Sequence, residues 1–246
     1  MDFFSFGLNG IYLFFLFLSF YLGRKSSLVK TQKTPDNLIS LNTIEGRKIL
    51  LESKLNQDYL LLSCHHIAQK NPTFCGIGSI VMALNSFSNL DRELPQVGIC
   101  LAFTQDNIFN KQVNQIKSSL KITLTGITLE ELKQIVQVYQ IQARVVFSSE
   151  IEIDEFRNLI VDYLGQSNSF VIVNFWRKTI GQKGFAHVSP IAAYNYEEDR
   201  FLILDVARNK YPPFWVKTQE LWKATATKDL ASMKSRGLLL LRYKHH

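Results

Sequence analysis

Four residues have the types and spacing for covalent chemistry. Cys75 closes the loop Gln69-Lys70-Asn71-Pro72-Thr73-Phe74 and opens an apolar run from Gly76 to Asn85. A thiol at a helix N-terminus faces unpaired backbone N–H groups and the positive end of the helix dipole. Both favour the thiolate, which is the nucleophilic form. Gln69, six residues upstream, carries an amide donor for the oxyanion that forms when a thiolate attacks a carbonyl. His187 and Asp205 come later and are placed symmetrically about Tyr196. A hairpin turning there sets them opposite each other on one face, within side-chain reach. A carboxylate in that place holds the imidazole tautomer while the imidazole serves the thiol as base. Each residue also has a plainer reading. A free Cys usually packs as a small hydrophobe, a lone strand His is more often structural, and an Asp ending an apolar strand is often a turn residue.

The elements that must position these residues follow from periodicity and punctuation. A helix is expected from Thr43 to Asn56, and another from Cys75 to Ser86. Phe103 to Asn110 is polar and loop-like. Thr128 with Glu131 forms a capping box, and Leu129, Leu132, Ile135, Val136 and Tyr139 repeat at helical spacing, so a helix is expected over 129–140. Ala143 to Phe147 reads as a short strand, and Ile153 to Leu164 as an amphipathic helix stopped at Gly165. Strands are expected at Ser169–Trp176, His187–Tyr194, Arg200–Val206 and Gly237–Tyr243, with a polar turn at Glu197-Glu198-Asp199 and a helix at Thr218–Thr227. Helices come first and an antiparallel sheet follows. That is an α+β layering, with the helices expected on one side of the sheet. A Cys at a helix start followed by His and Asp on paired strands suits a papain-like thiol acyltransferase or protease.

The 246 residues, 46% hydrophobic and 20% charged, suffice for a sizeable core without a metal or disulfide staple. Three cysteines, Cys64, Cys75 and Cys100, are too few for a disulfide framework, although a Cys64–Cys100 bridge is open in an oxidising compartment. Cys64-His65-His66 lacks the spacing of a zinc site, so no metal is placed in the fold. The net charge of +7 is spread along the chain, without the clustered basic and aromatic residues of a nucleic-acid binder. Phe3 to Leu22 is nearly all apolar and long enough to cross a bilayer. Residues 1–25 are therefore read as a membrane-targeting segment, 26–37 as a linker and 38–246 as the catalytic domain. The segment is either a signal peptide, which exports the domain to the periplasm, or an uncleaved inner-membrane anchor. It has no Lys or Arg before the apolar run and lacks a small-residue cleavage site.

Beyond spacing, the residues themselves carry a likeness. Arg177-Lys-Thr-Ile-Gly-Gln-Lys-Gly-Phe-Ala-His187-Val-Ser-Pro-Ile-Ala-Ala-Tyr194 and Ile203-Leu-Asp205-Val-Ala-Arg208-Asn-Lys-Tyr-Pro-Pro-Phe-Trp-Val216 strongly resemble phytochelatin synthases. So does Gln69 with Phe74-Cys75-Gly76, and the likeness runs from about Leu38 to Tyr243. It implies a papain-like, single-domain α+β fold, with Cys75 as nucleophile, His187 as base, Asp205 as its orienting acid and Gln69 in the oxyanion hole. Arg177 and Arg236 match positions that look like substrate-binding arginines, suited to the carboxylates of glutathione. For Arg177 a structural role is equally open. The implied reaction removes glycine from glutathione through a γ-glutamylcysteinyl thioester. Hydrolysis is expected to dominate transpeptidation, because the Cys-rich C-terminal extension of the plant enzymes has no counterpart here. No cofactor is expected to be tightly bound, and Cd or Zn would enter as a metal–glutathione thiolate substrate. The expected partners are glutathione and, through residues 3–22, a membrane; a homodimer is possible. Two alternatives remain: a papain-like peptidase acting on other peptides, and a membrane-tethered thiol- or metal-binding module.

Overall fold

The computed structural model describes residues 31–87, 95–97 and 100–243 of the chain, leaving aside the side chains of 96–100. The expected targeting segment lies outside these residues, as do residues 26–30 of the expected linker. Nine strands and eight helices are formed among the described residues.

Seven strands make one antiparallel sheet in the order β1-β8-β7-β6-β5-β9-β4. These are β1 (Ile39–Ser40), β4 (Gln142–Phe147), β5 (Ser169–Trp176), β6 (Ala186–Asn195), β7 (Arg200–Ile203), β8 (Phe214–Lys217) and β9 (Gly237–Arg242). A separate two-stranded ribbon joins β2 (Gln96–Val97) to β3 (Cys100–Leu101).

Helices cover both faces of the sheet. On one face lie α1 (Ile44–Glu52), α2 (Gln57–Cys64), α3 (Cys75–Ser86) and α6 (Leu129–Val138). Ile49, Leu62, Ile80 and Leu132 pack there against Phe170, Ile172, Leu202 and Trp215. On the other face lie α7 (Ile153–Leu164) and α8 (Thr218–Thr225). Phe156, Ile160 and Leu221 pack there against Val171, Val173, Phe175 and Phe201. The expected confinement of helices to one side is thus corrected. The physical reason is visible in β5 and β9: Phe170-Val-Ile-Val173 and Leu238-Leu-Leu-Leu241 are apolar at every position, so both faces of these strands need cover. The two remaining helices, α4 (Lys111–Ile116) and α5 (Ser119–Thr125), come between the ribbon and α6 in the chain, and α4 packs against α6.

Local chemistry explains where the elements begin. Thr43 caps α1 by accepting from the Gly46 N–H at 3.0 Å, but Ser53 leaves the helical region with ψ 127°. The single helix expected over 43–56 is therefore shorter, and α2 starts separately at Gln57. The capping box of α6 is present in full, with Thr128 and Glu131 each accepting from the other's backbone. α3 spans the expected residues and packs closely on α6. A Cβ on Gly76 would stand 2.7 Å from Ile127 Cγ2 and 3.0 Å from Leu132 Cδ1, so the glycine next to Cys75 permits the approach of the two helices. Residues 31–37 run along the domain: the Gln32 N–H donates to Lys210 O at 2.9 Å, and Asn37 Nδ2 donates to Glu220 Oε1 at 2.8 Å.

Asp58, in the first turn of α2, is 5% exposed, and its Oδ2 has no hydrogen-bond partner among the described residues. Burial pushes its carboxyl from the ordinary 3.8 up to about 8. Between those values the folded chain binds a proton that the unfolded chain has lost, so stability is full at acid pH and falls as pH rises through this window. Asp58→Asn removes the titration. Thermal melts should show the variant's advantage over the wild type widening between pH 5 and pH 8, and a gap that stays constant would contradict the buried neutral carboxyl.

Candidate active site

The candidate residues meet at one end of the central strands. β5 ends at Trp176 and continues into a 3₁₀ turn, Arg177–Ile180. His187 is the second residue of β6, paired with Phe175. Asp205 lies just beyond β7. α3 brings Cys75 to β6: Ser79, one turn along, donates its hydroxyl to Cys75 O at 2.7 Å and Val188 O at 3.1 Å.

Asp205 is fully buried and His187 is 4% exposed. His187 Nε2 lies 2.8 Å from Asp205 Oδ1, close but off the line of a well-aligned hydrogen bond. With Nε2 on the carboxylate, Nδ1 is the ring nitrogen left to serve the thiol. The hairpin register differs from that expected. The turn falls at 196–199, Asn195 pairs with Arg200, and a bulge shifts the pairing between Ile191 and Ala193. Extending the ladder would set His187 against Ala207 rather than Asp205. The ladder stops at Ile203, and Asp205 reaches the imidazole from the departing chain. A register error of two residues leaves the side-chain face unchanged, so the pair meets although the mirror point was misplaced.

The backbone that carries Asp205 is tied to the loop before Cys75. The Gln69 N–H donates to Val206 O at 2.8 Å. The His66 ring Nε2 lies 3.1 Å from Asp205 O, and Arg208 Nη1 donates to His66 O at 2.9 Å. Gln69 Nε2 donates to Asn71 O at 2.6 Å. An amide nitrogen carries two hydrogens, so one is committed and one remains. Asn71 in turn shapes the loop, accepting from the Thr73 N–H at 3.1 Å and hydroxyl at 2.8 Å.

A cavity of about 470 Å³ lies here, lined by Gln69, Asn71, Arg177, Phe185, His187 and Lys210 among others. A second cavity of about 460 Å³ shares Phe185 with it and holds Arg236, Trp176, Thr227 and Asp229. The two expected arginines thus fall in different surroundings. Arg177 is 2% exposed. Its Nη2 donates to Asp205 Oδ1 at 2.9 Å, its Nη1 lies 2.8 Å from Oδ2, and Nη1 also meets Gln182 Oε1. Arg236 stacks its guanidinium 4.8 Å over the Trp176 ring and donates to Thr227 Oγ1 at 3.0 Å and Lys228 O at 2.5 Å, while its buried Nε has no partner among the described residues. Phe185, Trp176, Lys210 and Asp229 were not among the residues expected from sequence. Lys210 and Phe185 both sit in the segments around Asp205 and His187 that carry the likeness, but a place in a motif does not say which side chains line a cavity.

The charges oppose one another. Burial alone would raise the Asp205 carboxyl, but His187 and Arg177 outweigh it and hold it well below the usual carboxylate range. Burial, and then the Arg177 charge, lower His187 to about 4, so the imidazole is neutral at neutral pH. Burial pushes the Cys75 thiol up, against the Val188 N–H, Arg177 and the Gly76 N–H. Cys75 is itself only half-buried, so desolvation of its thiol is set against the help expected from the helix end. Among the described residues no cluster of three or more His, Cys, Asp or Glu side chains is arranged to hold a metal. Cys64 and Cys75 are free thiols.

The family model for phytochelatin synthase matches residues 29–238. The chain belongs to the phytochelatin synthase family. A glutathione gamma-glutamylcysteinyltransferase of Schizosaccharomyces pombe is 28% identical over 224 residues, covering 90% of this chain and 52% of that protein. Glutathione gamma-glutamylcysteinyltransferase 2 of Arabidopsis thaliana is 30% identical over 224 residues, covering 89% of this chain and 48% of its own. This phytochelatin synthase family chain spans about half the length of the curated relatives it matches. No helix among the described residues is long and apolar enough to cross a membrane.

Asp205 neutralises a buried guanidinium as well as holding an imidazole. Asp205→Asn should therefore cost stability as well as activity, by about 3–5 kcal/mol, because it leaves Arg177 charged and unpaired. Denaturant melts check this. His187→Asn, which removes a neutral ring, should cost clearly less; equal losses would show that the ion pair does not set the penalty.

Proposed function

We propose that the site is a cysteine acyltransferase that removes glycine from glutathione. The observation that carries the reading is the joint arrangement of a cysteine at the start of α3, tied through the Ser79 hydroxyl to the strand residue next to His187, and an imidazole 2.8 Å from a buried carboxylate. Family membership and relatives that bear the name of this transferase support the choice of substrate.

In this reading His187 Nδ1 takes the Cys75 proton as the sulfur attacks the carbonyl between cysteine and glycine. The free hydrogen of Gln69 Nε2 and backbone N–H groups at the start of α3 stabilise the oxyanion. His187 returns the proton to the glycine nitrogen as the C–N bond breaks, and glycine departs with a γ-glutamylcysteinyl thioester left on Cys75. Water, deprotonated by His187, resolves it to γ-glutamylcysteine. The amine of a second glutathione resolves it instead to a chain longer by one unit. A neutral imidazole facing a protonated thiol has the protonation state this sequence starts from.

Arg236 is the better candidate for a carboxylate of the donor. Its unpaired Nε, its aromatic platform and the neighbouring Asp229 give a site for a group that carries both an ammonium and a carboxylate. Lys210 lines the first cavity and offers a further cation. A divalent metal would enter on the thiolates of the substrate, and residues 3–22 would tether the enzyme to a membrane unless they are cleaved as a signal peptide.

Intact-protein mass spectrometry after mixing with glutathione should show an added γ-glutamylcysteinyl mass that Cys75→Ala lacks, with free glycine released in step. No adduct and no glycine, with turnover of unrelated peptides, would favour the peptidase reading. Arg236→Met should raise KM for glutathione by about tenfold, the scale of one lost charge-assisted contact, with kcat changed much less.

A further inference from the structure

The placement of Arg177 carries an inference about how the site is held. We propose that Arg177 is a positioning residue: its guanidinium fixes the Asp205 carboxylate, and through it His187, instead of meeting the substrate. The inference rests on the thiol-acyltransferase reading above and adds the role of a residue that reading leaves open.

The geometry supports it from several sides. The guanidinium donates to Asp205 Oδ1 at 2.9 Å, and its Nη1 lies 2.8 Å from Oδ2 as an ion-pair contact that is off the line of a hydrogen bond. This two-point contact fixes the plane of a carboxylate, which a single ammonium cannot do. Asp205 Oδ1 also accepts from the Ala207 N–H at 2.8 Å and lies 2.8 Å from His187 Nε2. With one oxygen shared and the other held, the carboxylate cannot rotate away from the ring without losing the arginine.

Arg177 is itself held on all sides. Gln182 Oε1 meets Nη1, and the Gln182 N–H donates to Arg177 O at 3.0 Å. The guanidinium carbon lies 5.3 Å from the centre of the Tyr211 ring and 5.8 Å from that of Phe175. Gly184, at φ +121°, lets the chain pass where a Cβ would sit 3.3 Å from Arg177 Cδ and 2.7 Å from Lys210 Nζ. A ligand arginine is ordinarily presented to solvent, but this one is 2% exposed and both terminal nitrogens are already engaged.

The charge has a second effect. Arg177 lies near enough to lower both the Cys75 thiol and His187, alongside Lys210 for His187, while Asp205 opposes both. His66 faces the Asp205 backbone carbonyl, and Arg208 faces His66. Removing the guanidinium therefore takes away a cation that favours the thiolate and frees the carboxylate that orients the base.

The test is alkylation of Cys75 by iodoacetamide, a neutral reagent that needs no glutathione site. It is read as a rate against pH beside kcat and KM for glutathione. Arg177→Met should slow alkylation at pH 7 by about tenfold or more, on the scale of a lost orienting partner, and move its midpoint to higher pH. kcat should fall by a similar factor, with KM changed less than about threefold. Arg177→Lys, which keeps the charge without the fork, should recover part of the alkylation rate. Gln182→Leu should shift rate and midpoint in the same direction by less. In an Asp205→Asn background the Met substitution should add little, since both act through one carboxylate. Wild-type alkylation with a raised KM in Arg177→Met would overturn the proposal and make Arg177 a substrate ligand. Should that variant fail to fold, alkylation within about twofold of the wild type in both Arg177→Lys and Gln182→Leu would overturn it equally. If alkylation responds as expected but glutathione is inert in every form, the fault lies in the substrate reading and not in the role of Arg177.

Discussion

Much of this end of the molecule depends on one buried carboxylate. Asp205 is fully enclosed, and an ionised group in that position survives only with partners. Arg177 supplies the charge, the Ala207 N–H a hydrogen bond, and His187 a polar edge. Each partner comes from a different segment, so satisfying the carboxylate fixes those segments relative to one another. The 3₁₀ turn after β5, the first residues of β6 and the chain leaving β7 are all located by this need. Because the Gln69 N–H is bonded to Val206 O, the same constraint reaches the loop that precedes Cys75.

Burial also shapes the charge state of the thiol and its base. A helix N-terminus favours a thiolate when the sulfur is near water, but an enclosed sulfur has desolvation to overcome. The imidazole is subject to the same penalty and to the arginine beside it. Burial thus works in the same sense on both groups, favouring the neutral thiol and the neutral imidazole.

The sequence showed some of this plainly. The helix from Cys75 to Ser86 could be read from its apolar run, the helix at Leu129 from its capping box, and β5 from its β-branched and aromatic residues, interrupted only by Asn174 after Ser169. These signals are local. The misplaced parts depended on distant contacts. The helices at Ile153–Leu164 and Thr218–Thr225 were expected but placed on the wrong side, because helix order along the chain does not say which face a helix covers, although the all-apolar pattern of β5 and β9 implied that both faces were buried. The hairpin was misplaced by two residues because the centre of a turn is poorly marked where Tyr196, Glu197, Glu198 and Asp199 are all polar or amphipathic. The face of Asp205 was still right, since an even error preserves it.

The two arginines show the limit most clearly. Both match positions suited to carboxylates, and at the level of residue type they are equivalent. What separates them is the partner each finds. Arg177 meets an internal carboxylate, whereas Arg236 lies against an indole ring at the lining of a cavity and has no carboxylate among its hydrogen-bond partners. No spacing rule distinguishes these outcomes, because Asp205 reaches Arg177 only after the β7 ladder breaks at Ile203. An arginine in a motif is thus a statement that a carboxylate is near. Whether that carboxylate belongs to the substrate or to the protein is settled by the fold, and here the bulge and the early end of one short strand bring the protein's own to Arg177.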